Sequence, residues 1–92
     1  MAQMTKVPGA NKGSVTLYAL STRVWCKRTK ALLDAIGAQY EYVYVDLLAG
    51  EEKAGVSREV LAKNPQGSYP TLVINGKVIA GFREEEIREL LK

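Results

Sequence analysis

The stretch that most constrains this chain is Thr71-Leu72-Val73-Ile74, Asn75-Gly76, Lys77-Val78-Ile79-Ala80. Two β-prone runs are joined by Asn-Gly, the pair that best tolerates the positive φ angles of a two-residue type I′ turn, so a β-hairpin is expected here. A hairpin by itself is only marginally stable in water, so its apolar residues must pack on elements from elsewhere in the chain. Two further strands are legible upstream. Val15-Thr16-Leu17-Tyr18-Ala19-Leu20 is a short β-rich run bounded by polar residues, and Tyr40-Glu41-Tyr42-Val43-Tyr44-Val45-Asp46 is apolar or aromatic on both alternating sets apart from Glu41, as in a strand covered on both faces.

Three helical segments separate and follow these strands. From Arg23 onward Cys26, Leu33 and Ile36 share a stripe beside Thr29 and Leu32; Gly37 ends it, and Ser21 and Thr22 supply hydroxyls suited to capping its start. Residues 51–63 read as a helix with Val56, Val60 and Leu61 inward, ended by Asn64-Pro65, and residues 84–91 as an amphipathic helix through Ile87, Leu90 and Leu91. Residues 1–13, with Pro8, Gly9, Asn11 and Gly13 and no apolar periodicity, read as a flexible lead, which leaves 14–92 as one domain. The order is then β-α-β-α-β-β-α. Strand, crossover helix and strand imply a parallel pair with a right-handed crossover, and the hairpin adds two antiparallel strands. The expected fold is α/β, a four-stranded mixed sheet flanked by three helices on both faces, the thioredoxin architecture in minimal form.

Composition removes whole classes of chemistry. With one cysteine, Cys26, and no histidine, Ser-His-Asp and Cys-His catalysis, His- or Cys-rich metal sites and internal disulfides are excluded. Thirteen basic residues face ten acidic ones, but two of the thirteen are Lys6 and Lys12; from residue 14 onward eleven stand against ten, so bulk charge is weak grounds for a nucleic-acid partner. No run of 18 apolar residues suits a membrane span, and the polar opening residues do not form an apolar signal core, so the expected compartment is the cytoplasm.

Tyr18-Ala19-Leu20-Ser21-Thr22 leading into Arg23-Val24-Trp25-Cys26-Lys27, then Tyr69-Pro70-Thr71, Asn75-Gly76-Lys77 and Ala80-Gly81-Phe82, resemble a glutaredoxin in their order and separations over residues 14–92. The resemblance implies a thiol–disulfide oxidoreductase serving redox homeostasis and electron transport, acting on protein or small-molecule thiols and disulfides. In that family the strand-to-helix turn carries Cys-x-x-Cys, whose first cysteine attacks and whose second resolves the mixed disulfide. Here the first position is Arg23 and only the resolving position, Cys26, keeps its sulfur. The attacking thiolate is therefore missing, and with it the family's first-cysteine cluster ligand. What remains is either weak, one-thiol exchange through Cys26 or a binding module without sulfur chemistry.

The candidate catalytic residues are Cys26 and Arg23, and both leave alternatives open. Arg23, Lys27, Arg28 and Lys30 precede the first acid, Asp34, and the helix start favours a Cys26 thiolate; burial beneath Arg23, Trp25 and the Pro70 loop opposes it. Arg23 reads as a solvated cation, as a stabiliser of the thiolate, or as an anion ligand. The candidate substrate-binding residues are Trp25, Gln66, Tyr69, Pro70, Gly81 and Phe82. Trp25 is a platform beside a groove or merely packs on the Pro70 loop. The resemblance implies a cis Pro70 facing the cysteine motif, which leaves the Tyr69 backbone free to pair with an extended thiol substrate. No bound cofactor and no metal are expected. Glutathione is a candidate co-substrate, although Leu20 and Arg83 stand where glutaredoxins commonly hold its carboxylate and γ-glutamyl ends. Gly81-Phe82-Arg83 resembles instead the NrdH-type redoxins, which take electrons from a reductase protein. A monomer without nucleic-acid or membrane partners completes the expectation. Glu84-Glu85-Glu86 read as acids favoured in the first turn of a helix, and the three tyrosines of residues 40–44 as core packing against a helix.

Overall fold

The computed structural model describes residues 4–92. Their elements are β1 (Thr5–Val7), β2 (Val15–Ala19), α1 (Val24–Ile36), β3 (Tyr40–Tyr44), α2 (Gly50–Lys63), β4 (Thr71–Ile74), β5 (Lys77–Ala80) and α3 (Glu84–Leu90). The sheet runs in the order β1-β3-β2-β4-β5. Strands β2 and β3 are parallel, with Leu17 opposite Tyr42, and the other neighbours are antiparallel. The hairpin turns as its sequence requires: Asn75 and Gly76 both have positive φ, 49° and 85°.

The two-residue period of the strands sorts the core into two layers. Val15, Leu17 and Ala19 of β2 and Leu72 and Ile74 of β4 join Cys26, Leu32 and Leu33 of α1, Ile87 of α3 and Leu91. On the other face Tyr18 and Val43 meet Val56 and Val60 of α2. Leu17, Leu33, Leu72 and Ile87 are fully shielded from solvent, each contributing about 1.5–3 kcal/mol by burial. Leu61, expected inward, is 51% exposed. It lies across the following turn instead, where a side chain on Gly67 would stand 2.9 Å from its Cδ2. The tyrosines of β3 do pack under α1: Tyr40 and Tyr42 lie 6.1 Å apart and Tyr42 and Tyr44 5.2 Å apart by ring centroids. Lys30 covers the Tyr42 ring at 5.0 Å, and the Tyr40 hydroxyl donates to Asp34 at 2.6 Å. Strand β3 stops at Tyr44, and a single 3-10 turn, Val45–Leu47, replaces its expected last residues.

The largest correction concerns the segment read as a flexible lead. Residues 5–7 form a fifth strand against the free edge of β3, with Lys6 opposite Glu41. Further on, Ala10 N–H donates to Gly37 O and Gln39 N–H to Ala10 O, both at 2.8 Å, and Ser14 N–H donates to Asn75 Oδ1 at 2.9 Å. Gly9 is needed for this contact, since a Cβ there would lie 2.6 Å from the Gly37 carbonyl oxygen. The segment has no apolar period because backbone pairing holds most of it, with only Val7 and Met4 packing against the core. Residues 1–3 of the expected lead lie outside the described residues. No described helix is long and apolar enough to cross a membrane.

Candidate functional site

The site begins where β2 ends. Arg23 N–H closes a turn on Leu20 O at 3.2 Å, and Arg23 itself is the extended N-cap residue of α1, without a side-chain cap. The hydroxyls expected to cap this helix do not. Ser21 turns the other way, giving its N–H to Asp46 Oδ1 at 2.9 Å and its Oγ–H to Oδ2 at 2.6 Å. The Ser21 hydroxyl, then its amide, hold the Asp46 carboxyl below the usual carboxylate range. This bond ties the turn before α1 to the 3-10 turn that follows β3. Arg23 stays exposed to solvent.

Cys26, one turn into α1, sits in the core cluster at 1% exposure. Its Sγ accepts the Leu20 N–H at 3.4 Å. Burial pushes the thiol pKa up; the Leu20 amide and Arg23 pull it down by less, and Asp46 adds to the rise. Of the two opposed effects named from sequence, burial therefore dominates over the cationic helix start. A neutral thiol with almost no accessible surface is a poor nucleophile, since the thiolate is the attacking species.

The opposite wall is the loop between α2 and β4. Asn64, 5% exposed, organises it from within. Its Nδ2 donates to Ser68 O at 3.2 Å, Ser68 Oγ at 3.1 Å and Thr71 Oγ1 at 3.1 Å, while its Oδ1 accepts the Gln66 N–H at 3.3 Å. Thr71 Oγ1, fully buried, donates in turn to Ser68 O at 2.7 Å. Pro65 at the second position and Gly67 at the fourth of the Asn64–Gly67 turn suit its geometry, and Gly67 N–H reaches Asn64 O at 2.8 Å. This framework presents Tyr69 and Pro70, joined by a cis peptide bond, toward α1. Gly81 N–H donates to Pro70 O at 2.9 Å, fixing the hairpin's far end against the loop. Among the described residues neither the N–H nor the C=O of Tyr69 pairs with another backbone group. Burial raises the Tyr69 phenol pKa, against a hydrogen bond from Ser57 on α2.

Between the walls lies an open groove of about 190 Å³ lined by Trp25, Tyr69, Pro70, Gly81 and Phe82. Five of the six residues read as substrate-binding thus come together. Gln66 does not; it is exposed in the Asn64–Gly67 turn, outside that lining. Trp25 is 55% exposed and stacks on Phe82, with centroids 5.7 Å apart and rings inclined by 26°, so it is a groove wall and not packing for the Pro70 loop alone. Sequence reasoning missed Asn64, Thr71 and Asp46. The Asn64-Pro65 pair carried a signal, since Asn side chains bond backbone two residues on, but it served only as a helix stop. Asp46 carried none, because its partner lies 25 residues away.

The comparisons with known proteins agree with this geometry. A sequence model of the glutaredoxin family matches residues 15–79. The chain is 49% identical to methanoredoxin from Methanosarcina acetivorans, whose crystal structure superposes with a TM-score of 0.87 over 90% of this chain and 88% of that one. A glutaredoxin from Methanosarcina mazei Go1 gives 48% identity and a TM-score of 0.87 over 98% and 88%. An uncharacterised glutaredoxin-like 8.6 kDa protein in the rubredoxin operon of Clostridium pasteurianum is 30% identical over 80 residues, 85% of this chain and 97% of that protein. With a thioredoxin-like fold and this family match over most of its length, the chain belongs to the glutaredoxin family.

Proposed function

We propose that this chain binds an extended thiol- or disulfide-bearing segment in the groove between Trp25 and Pro70, and that its own thiol–disulfide exchange is weak. The observation that carries this reading is the contrast between a formed groove and a Cys26 sulfur at 1% exposure behind it. A bound segment lies along Tyr69, whose unpaired N–H and C=O offer strand-like hydrogen bonds, with one side chain seated among Trp25, Gly81 and Phe82. Arg23, at the family's nucleophile position, contributes charge but no bond-forming atom.

The residual chemistry assigned to Cys26 is one-thiol exchange. Its thiolate attacks one sulfur of a disulfide, a mixed disulfide forms and the other sulfur leaves as thiolate; a second thiol, from glutathione or a reductase protein, then releases Cys26 in the reduced state. The Leu20 N–H and Arg23 both favour the thiolate, which keeps this route open although slow. Neither glutathione nor a reductase is bound as a resident cofactor on this reading. A monomer fits as well, since a recessed Cys26 disfavours a disulfide-linked pair.

Thiol titration tests it directly. Cys26 in the folded protein is expected to react with an aromatic disulfide reagent at least ~10-fold more slowly than in denaturant, a barrier difference of about 1.4 kcal/mol. Equal rates in the two states would make Cys26 an accessible nucleophile and replace the weak-exchange reading with an efficient one-thiol oxidoreductase.

A further inference from the structure

Around the groove the charges are divided unevenly between those that are used and those that are not. Asp34 pairs with Lys30, Glu84 with Arg88 and Glu86 with Lys77. Asp46 is hydrogen-bonded by Ser21, which leaves its carboxylate charged. Arg23, Lys27, Arg28 and Arg83, all exposed, enter no ion pair among the described residues. Two of these four are nevertheless held in place by neutral groups. The Arg28 guanidinium lies 5.1 Å from the centroid of the Trp25 ring, and Arg83 Nε donates to Ala80 O at 3.2 Å, next to Gly81 of the groove. A ring face and a carbonyl orient a guanidinium without neutralising it. Among the described residues the unpaired Glu85 and the Asp46 carboxylate stand against these four cations, so the collar remains net positive although the chain from residue 14 onward carries eleven basic and ten acidic residues.

We infer that the groove selects an extended protein segment in which acidic residues flank the side chain it seats, Arg28 and Arg83 meeting the flanking carboxylates from opposite sides. This rests on the binding reading above and names its partner class. The groove holds about 190 Å³, less than the roughly 300–1,000 Å³ of sites that enclose a small molecule. One side chain fills it, and the carboxylates that reach the collar must come from neighbouring residues of a longer chain. Arg23 and Lys27, one helical turn apart on α1, extend the positive field along the path such a chain takes past Trp25. Complementary charge of this kind speeds encounter and rejects basic segments more than it adds affinity in salt.

The test uses acetylated, amidated pentapeptides with a Val–S-methylcysteine–Val centre, which blocks exchange, flanked on both sides by Glu, Gln or Lys. Trp25 is the only tryptophan, so its fluorescence reports occupation of the groove. The Glu peptide is expected to bind at least ~10-fold more tightly than the Gln peptide in dilute buffer and the Lys peptide more weakly than both, with the differences collapsing at 0.5 M NaCl, where the Debye length falls to a few ångströms (~3 Å at 1 M). In the double variant Arg28→Gln, Arg83→Gln, at two exposed positions, the Glu and Gln peptides should bind equally. Equal binding of all three peptides, or a preference that survives in the double variant, overturns the inference and leaves the groove reading intact. If S-methylglutathione, a small dicarboxylate, matches the Glu peptide, a protein segment is the wrong partner class. No response to any probe defeats both the inference and the binding reading.

Discussion

The two walls of the groove differ in what holds them and in how much substitution each tolerates. The loop wall is a polar construction: a buried Asn64 and Thr71 share five hydrogen bonds with Ser68, Gln66 and each other, and the result is the placement of Tyr69 and Pro70. The α1 wall is an apolar one, in which Cys26 packs among Leu17, Leu33 and Ile87, and its exposed edge carries Arg23, at the position where the resemblance places the family's attacking cysteine. Such an edge residue can change without disturbing the packing beneath it, because Arg23 contributes only backbone contacts to the turn. The loop wall has no such tolerance, since each buried polar atom relies on the others. On the proposed reading, binding geometry and reactivity are therefore separable in this fold, and Arg23 bears on reactivity alone.

Four measurements bear on that contrast. The largest effect is expected from Asn64→Ala, which removes the donor to the buried Thr71 Oγ1 and to both Ser68 acceptors and the acceptor of the Gln66 N–H; urea unfolding should show a loss of about 2–3 kcal/mol, and a loss under about 0.5 kcal/mol would mean that the loop wall is held by something other than its polar network. Next comes Arg23→Cys, which places a second sulfur three residues before Cys26 on the same helical face. It should raise mixed-disulfide reduction at least ~10-fold, or about 1.4 kcal/mol in the barrier. If the variant forms its disulfide yet reduces nothing, the walls are not separable and the groove has diverged too.

The third concerns pH. Because burial raises the Cys26 pKa in the folded state, the neutral thiol favours folding; this contribution is full below the ordinary thiol value and is lost as pH rises through the folded value. The midpoint of the alkylation rate against pH should lie above the reference of about 8.5, and Arg23→Glu should move it further up. A midpoint below the reference would reverse the balance between burial and the cationic helix start. The smallest effect belongs to Asp46, whose pKa is lowered in the fold. Its contribution is present above the ordinary carboxylate range and declines as pH falls through the folded value. Asp46→Asn should flatten the acid limb of a thermal-stability profile slightly, and an unchanged limb would show that the Ser21 bond does not anchor the turn.

Where the chain could be read in advance, the information was local. The stripe of α1, the Gly37 stop and the Asn75-Gly76 turn each depend on residues within a few positions of one another, and each took its expected form. The family motifs were legible for the same reason: Trp25, Tyr69, Pro70, Gly81 and Phe82 follow directly from short strings of sequence and meet in one groove. What escaped has a partner that the local string does not contain. Strand β1 exists because β3 has an edge to fill. Ser21 prefers Asp46 to the helix start. Leu61 covers a turn and not the core.

The sequence by itself determined the order of elements from β2 onward, the helices on both faces of the sheet and the single sulfur at Cys26, since these follow from periodicity, turn chemistry and composition. Only the tertiary structure decided whether Cys26 is available. A helix start and four nearby cations favour a thiolate from any position on the first turn, but desolvation depends on what is packed over the sulfur, and that is assembled from β2, β4 and α3. Burial is a property of contacts between distant segments, and at Cys26 it outweighs the local field.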